Sequence, residues 1–275
     1  MEGMAPPTPP PPVPIAVIGG SGLYSLLDPE ASRTQRIVTP FGADVDITIG
    51  AYAGTTVAFL PRHGAGHSVP PHRIPARAML WALARLGVRV LVSTAAVGSL
   101  NEQLPVGTIA LADQLVDRTR DREDTFFDGD TVRHLPFADP FAPALRALAL
   151  GAAPELVDGA TVLVIPGPRF STRAESDMNR AAGVDLVNMT LYPEMALAAE
   201  IGIDAIALCV VTDVDSGSHA GEAVTAEAVF ARLDEARPRL VSAIERIVAA
   251  VPADYAPREL IDRAAVDAVL RTETP

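Results

Sequence analysis

Ile15-Ala16-Val17-Ile18-Gly19-Gly20-Ser21-Gly22-Leu23-Tyr24 is the stretch that decides the fold. Four apolar residues run into a glycine-rich turn, the pattern of a buried strand that stops sharply. Three glycines after a strand also let the backbone come close to an anion. Two well-known readings fail on spacing. The dinucleotide pattern needs a further glycine where Ser25 stands, and the hydrolase elbow needs glycine at Leu23. What remains is a hydroxyl, Ser21, among small residues and exposed N–H groups, which suits a phosphate or a plain tight turn.

Working outward, apolar runs predict further strands at 45–50, 55–60, 88–92, 107–112, 161–165, 184–188 and 204–212, with a turn at Ala53-Gly54. Helical periodicity covers 75–86, where Ala76, Met79, Leu80, Leu83 and Leu86 share a face and Gly87 stops the helix. Further helices are expected at 140–150, 172–182, 193–201, 223–248 and 258–270. Strands alternating with helices predict a single α/β domain, a central mixed sheet flanked by helices, spanning 15–275. Residues 1–14 are half proline and carry no basic residue, so they read as a disordered proline-rich tail rather than a signal peptide. Residues 118–136 form a polar loop with no visible core role, and loops of that length are usually functional.

Composition narrows the chemistry. The 275 residues include 34 acidic and 22 basic ones, a formal charge of −12. That field repels nucleic acid, and there is no basic tract for a membrane surface. All 22 basic residues are arginine. Schiff-base, pyridoxal and Walker-lysine chemistry are therefore excluded. Cys209, the single cysteine, lies in an apolar run, which excludes an internal disulfide and fits a reducing compartment, the cytoplasm.

Polar clusters fall at strand ends: Arg62-His63-Gly64-Ala65-Gly66-His67, Ser93-Thr94-Ala95-Ala96, Pro166 to Ser176, Asn188-Met189-Thr190 and Thr212-Asp213-Val214-Asp215. Arginine offers a planar fork matched to phosphate or carboxylate, and histidine adds a group that titrates near neutrality. His63, His67 and His72 make a poor metal set, since no carboxylate lies among them and prolines intervene. Two aspartates at i and i+2 point the same way on an extended backbone, and one can be protonated to donate. Ligands of open α/β sheets bind outside the carboxyl ends of the strands. Together these clusters describe an oxyanion pocket beside a site for a hydrogen-bonding heterocycle.

The stretches VIGGSGLY, TPFG, RHGAGH, DQLVDRT, GPRFSTRAES, VNMTLYPE and VTDVD, in this order, resemble the methylthioadenosine phosphorylase branch of the trimeric purine nucleoside phosphorylase family. The resemblance implies phosphorolysis of 5′-methylthioadenosine to adenine and 5-methylthioribose 1-phosphate. It assigns phosphate to Ser21, Arg62, His63, Ala95, Ala96 and Thr190. Met189 falls under the ribose, and Phe170 and Ser171 fall in the base pocket. Asp213 and Asp215 fall on the pair that bonds N7 and the 6-amino group, with Thr190, Asp213 and Asp215 as the catalytic residues. His67 matches a contact to the 5′ substituent, and the segment 223–236, with Val224, Ala228, Val229 and Leu233, matches the part that closes over it. His134 matches a residue that reaches a neighbour's pocket, which implies a homotrimer. No metal or organic cofactor is implied; phosphate is a co-substrate. Ala95 stands where related enzymes often carry threonine, and Pro166 where they carry glutamate before Gly-Pro, a change read here as favouring adenine-type bases. The alternatives are a phosphorylase for methylthioinosine or another 5′-substituted purine nucleoside and, more distantly, a non-catalytic purine-binding protein.

Overall fold

A computed structural model describes residues 13–64, 66–129, 131–215 and 225–274. The tail expected over 1–14 lies almost wholly outside them. The elements, in chain order, are β1 (Ile15–Gly19), β2 (Ser32–Ile37), β3 (Val45–Tyr52), β4 (Thr55–Pro61), α1 (Ala76–Arg85), β5 (Val90–Ser99), β6 (Ile109–Leu111) and β7 (Gln114–Asp117). There follow α2 (Pro143–Ala152), β8 (Val157–Asp158), β9 (Thr161–Val164), α3 (Arg173–Ala181), β10 (Leu186–Asn188), α4 (Leu191–Glu200), β11 (Asp204–Val214), α5 (Ala226–Ala250) and α6 (Arg263–Leu270).

One mixed sheet organises the molecule, in the order β2-β3-β4-β1-β5-β10-β9-β7, with β11 also on β5 and leading to β6 and β8. β1 lies between β4 and β5, parallel to both. β11 runs parallel to β5 from Asp204 opposite Val90 to Val214 opposite Ser99. Two apolar layers cover the sheet. One contains Met79, Leu80 and Leu83 of α1 with Met195 and Leu197 of α4. The other contains Leu145 and Ala149 of α2 with Leu240, Ile244 and Ile247 of α5. Strand residues alternate between the layers, Ala16 and Ile18 facing one and Ile15 and Val17 the other, because a strand's side chains point to opposite faces. A β-branched, apolar β1 is thus buried on both sides.

Three readings change. β5, expected over 88–92, continues through Ser93-Thr94-Ala95-Ala96 to Ser99. Small polar residues end a strand only if they need water. Here Thr94 Oγ1 accepts from Gly20 N–H at 2.9 Å and lies 3.3 Å from the Ile18 carbonyl to which it donates, so it is satisfied inside the sheet. β2 and β7 were not expected; β2 is a largely polar edge strand, and β7 is a four-residue edge strand with only Leu115 and Val116 to mark it. The 118–136 loop does have a core role, since Phe126 and Phe127 are buried.

Candidate active site

The parallel strands β1, β4, β5 and β11 deliver their carboxyl ends to one cavity. It gathers Ser21, Arg62, His63, His67, Ala95, Ala96, Phe170, Ser171, Met189, Thr190, Asp213 and Asp215, which come from six separate stretches of chain. Twelve of the thirteen residues singled out from the sequence are brought together. His134 is exposed and lies outside the cavity of its own chain.

At one end stand oxyanion donors. Arg62, just past β4, is 2% exposed and is held by a bidentate pair to Glu194 of α4, Nε to Oε2 at 2.7 Å and Nη2 to Oε1 at 2.9 Å. Nη2 also donates to Ser93 Oγ at 2.7 Å, and Nη1 to the Thr94 carbonyl at 2.9 Å. A guanidinium carries five N–H donors. Four are therefore spent on positioning, and one Nη1 hydrogen is left for a ligand. The fork expected to clasp an anion clasps a carboxylate instead. Gly20 permits this packing, since a Cβ there would meet the Thr94 carbonyl at 2.5 Å and Arg62 Nη1 at 2.9 Å. His63 Nδ1 lies 2.8 Å from the Val69 carbonyl and so carries the hydrogen, which leaves Nε2 as an acceptor. Burial, with Arg62 beside it, pushes the His63 imidazole down to about 4, so it is neutral at physiological pH. Thr190 sits at the start of α4, where Asn188 Oδ1 accepts from the Thr190 and Leu191 N–H groups at 2.7 and 2.8 Å.

At the other end stand the carboxylates. The register of β11 on β5 shifts between Val211 and Asp213. A bulge of this kind re-aims side chains, and both Asp213 and Asp215 line the cavity. Burial, with Asp215 adding repulsion, pushes the Asp213 carboxyl up to about 6, against a stabilising hydrogen bond from Thr212 Oγ1 at 2.8 Å. Asp215 is fixed by Ser176 Oγ at 2.6 Å. Gly98 makes room for the pair, because a Cβ there would lie 2.8 Å from Asp213 Oδ1. Ser171 Oγ is buried, with no partner among the described residues, and lines the same cavity.

The wall between carries Met189, Pro168, Pro71, Val229 and Phe230, with the imidazole of His67 beside that of His63. Of the segment expected to close over the pocket, Val229 lines it, whereas Ala228 and Leu233 do not; Val224 lies outside the described residues. Pro166 is not in the wall either; its carbonyl accepts from Arg122 Nη2 at 3.0 Å. The proline side chain is therefore not among the groups that line the cavity, whereas Ser171 is. His72 faces a different cavity from His63 and His67, so the three do not form one ligand set.

Sequence reasoning missed Glu194 and gave no role to Ser93 and Ser176, which it placed in polar clusters, or to Phe230, which falls within the segment 223–236. Glu194 did carry a signal. A single acid in the apolar run Leu191-Tyr192-Pro193-Glu194-Met195-Ala196-Leu197 has to find a cationic partner when buried. Nothing local marks the partners that the other three find.

A sheet-end cavity with oxyanion donors at one end and a protonatable carboxylate pair at the other defines an enzyme that brings an anion to a nitrogen heterocycle. The sequence model of the phosphorylase superfamily matches residues 14–251, and the chain belongs to that superfamily. Its relatives are nucleoside phosphorylases. The S-methyl-5′-thioadenosine phosphorylase of Mycobacterium tuberculosis is 51% identical over 222 residues, 80% of this chain and 83% of that one. A purine nucleoside phosphorylase of Streptomyces coelicolor is 46% identical over 252 residues, 87% and 89% of the two chains. Among solved structures, methylthioadenosine phosphorylase from Schistosoma mansoni in complex with adenine superposes with a TM-score of 0.83 at 31% identity, covering 95% of this chain and 99% of that one.

Proposed function

We propose that the enzyme cleaves 5′-methylthioadenosine with phosphate, giving adenine and 5-methylthioribose 1-phosphate. The observation that carries this reading is Asp213, a carboxyl raised to about 6 beside Asp215 in the cavity that also holds Arg62 and Thr190. Breaking the bond between C1′ and N9 leaves positive charge on the sugar and negative charge on the purine. A protonated Asp213 donates to N7, so the base leaves neutral, while Asp215 accepts from the 6-amino group. Phosphate beneath the sugar stabilises the developing cation and then forms the new bond from oxygen to C1′. Ser21, the free Nη1 hydrogen of Arg62, Thr190 and the backbone at Ala95 and Ala96 hold it. The acceptor Nε2 of neutral His63 suits the hydroxyl of hydrogenphosphate. Met189 supports the ribose, Phe170 and Ser171 border the base, and His67 borders the 5′ group. No step needs a metal or organic cofactor.

The enzyme acts as a homotrimer in this proposal, with His134 reaching a neighbour's site, and it works in the cytoplasm. The mostly apolar wall around the 5′ position disfavours a free hydroxyl, so catalytic efficiency for methylthioadenosine should exceed that for adenosine by about 10- to 100-fold. The test is product analysis on methylthioadenosine, methylthioinosine, adenosine and inosine, with and without phosphate. Phosphate-dependent release of adenine, fastest from methylthioadenosine, is expected. Absence of turnover, or turnover independent of phosphate, would overturn the proposal. Faster cleavage of the 6-oxo substrates would favour the methylthioinosine reading.

A further inference from the structure

His67 is held from three sides. Its Nδ1 lies 3.1 Å from the hydroxyl of Tyr24, two residues past the glycine-rich turn that follows β1. Its ring lies 4.4 Å from that of His63 and meets Phe230 of α5 edge to face at 5.4 Å. Its backbone has φ of 56°, in the left-handed region that histidine, like asparagine and aspartate, enters more readily than other side chains.

The contact with Tyr24 decides which hydrogen the imidazole offers. A phenol is a strong donor and a weak acceptor, and a neutral imidazole nitrogen accepts well, so the hydroxyl donates to Nδ1 and the hydrogen of the ring resides on Nε2. His63, stacked beside it, has the opposite tautomer, Nδ1–H to the Val69 carbonyl. The cavity wall thus presents one acceptor, His63 Nε2, next to one donor, His67 Nε2–H. Val229 and Phe230, which line the cavity beside His67, supply no polar atom from their side chains.

We propose that Tyr24 is a specificity-determining positioning residue, which acts through His67 by fixing the tautomer and orientation that present Nε2–H to the 5′ substituent of the nucleoside. The inference rests on the proposed nucleoside reading. A 5′ hydroxyl gains a hydrogen bond from that donor. A thioether is a weak acceptor and needs it less. The Tyr24 hydroxyl therefore sets how far the enzyme accepts adenosine beside methylthioadenosine.

The experiment measures kcat and KM for both nucleosides at saturating phosphate in wild type, Y24F, H67A and Y24F/H67A, with thermal melting of each. In Y24F the ratio of catalytic efficiencies, methylthioadenosine over adenosine, is expected to rise about 3- to 10-fold, the worth of one neutral hydrogen bond. In the H67A background the Tyr24 change should leave that ratio unmoved. A general loss of structure would lower both efficiencies and leave the ratio as it was. An unchanged ratio in Y24F overturns the inference, as does an equal rise with and without His67, or a wild type for which adenosine is no substrate. A wild type that cleaves neither nucleoside overturns the nucleoside reading, and this inference with it.

Discussion

At the residue scale the proposed chemistry turns on Asp213. Its carboxyl, pushed up to about 6 from a usual value of 3.8, binds its proton more tightly in the folded chain than in the unfolded one. Its contribution to stability is therefore best below pH 4 and is lost as pH rises through 6. D213N should be more stable than wild type at pH 7.5 by about 1–3 kcal/mol, and so melt at a higher temperature, with the difference vanishing near pH 4. The same variant should lose about 2–4 kcal/mol of transition-state stabilisation on 6-aminopurine nucleosides, while 6-oxopurine ones are tolerated or improved, since an amide can donate to N7 and suits a 6-oxo group. Melting curves at several pH values and kinetics on methylthioadenosine and methylthioinosine check both halves. Unchanged kinetics on methylthioadenosine would remove Asp213 from the mechanism.

Glu194 is the second residue on which the site depends. It and Arg62 are each 2% exposed, so removing one charge leaves the other buried and unpaired. E194Q should cost about 3–5 kcal/mol of stability in the free enzyme. Bound phosphate then supplies the missing negative charge. Phosphate should consequently raise the melting temperature of E194Q by more than it raises that of wild type. An equal or smaller shift would show that Arg62 does not face the anion.

At the scale of elements, the partnership of β5 and β11 decides whether the carboxylates point inward. The bulge in β11 after Val211 turns Asp213, and Gly98 of β5 is the surface against which it lies. In G98A the new methyl group would stand 2.8 Å from Asp213 Oδ1 and 3.2 Å from Asp215 Cβ. A displacement of about 1 Å at a reacting group can cost about 100-fold in rate. G98A should lose activity on that scale with KM for phosphate nearly unchanged, because Arg62 and Thr190 stand at the opposite end. A matching rise in phosphate KM would show the two ends to be one mechanical unit. The 118–136 loop belongs to the same scale. Glu200 of α4 accepts from Thr125 Oγ1 at 2.6 Å and Phe126 N at 2.7 Å, and Arg122 donates to the Met189 carbonyl at 2.8 Å. The loop is thereby fastened to α4 and to Met189, the residue proposed to support the sugar.

Over the whole molecule, one chain builds the cavity but leaves His134 on the outside. The proposed trimer puts it to use. A mass in solution near three times the chain's 28.8 kDa is expected, and H134A should lower catalytic efficiency without changing that mass. A monomer with full activity would refute the arrangement.

The apolar runs were legible because burial on two faces forces them. Ile15–Ile18 and Ala205–Val211 cannot be read as anything solvated, and they carried the α/β architecture. Small polar residues at strand ends were legible as a site because open sheets bind ligands there. Polar edges such as Ser32–Ile37 were not, since they bury too little to leave a pattern. Nor could sequence tell that Ser93 and Thr94 lie inside a strand, that Ser171 lines the cavity while Pro166 does not, or that four of the five Arg62 donors are spent on Glu194, Ser93 and Thr94, the first of them 132 positions away. Sequence determined which residue types had to be buried and where the chain had to turn, because those are local demands of hydrophobicity and backbone freedom. Tertiary structure alone decided which polar group meets which, and so how many donors of Arg62 remain for phosphate and which carboxyl keeps its proton, because hydrogen bonds and desolvation depend on distances between segments far apart in the chain.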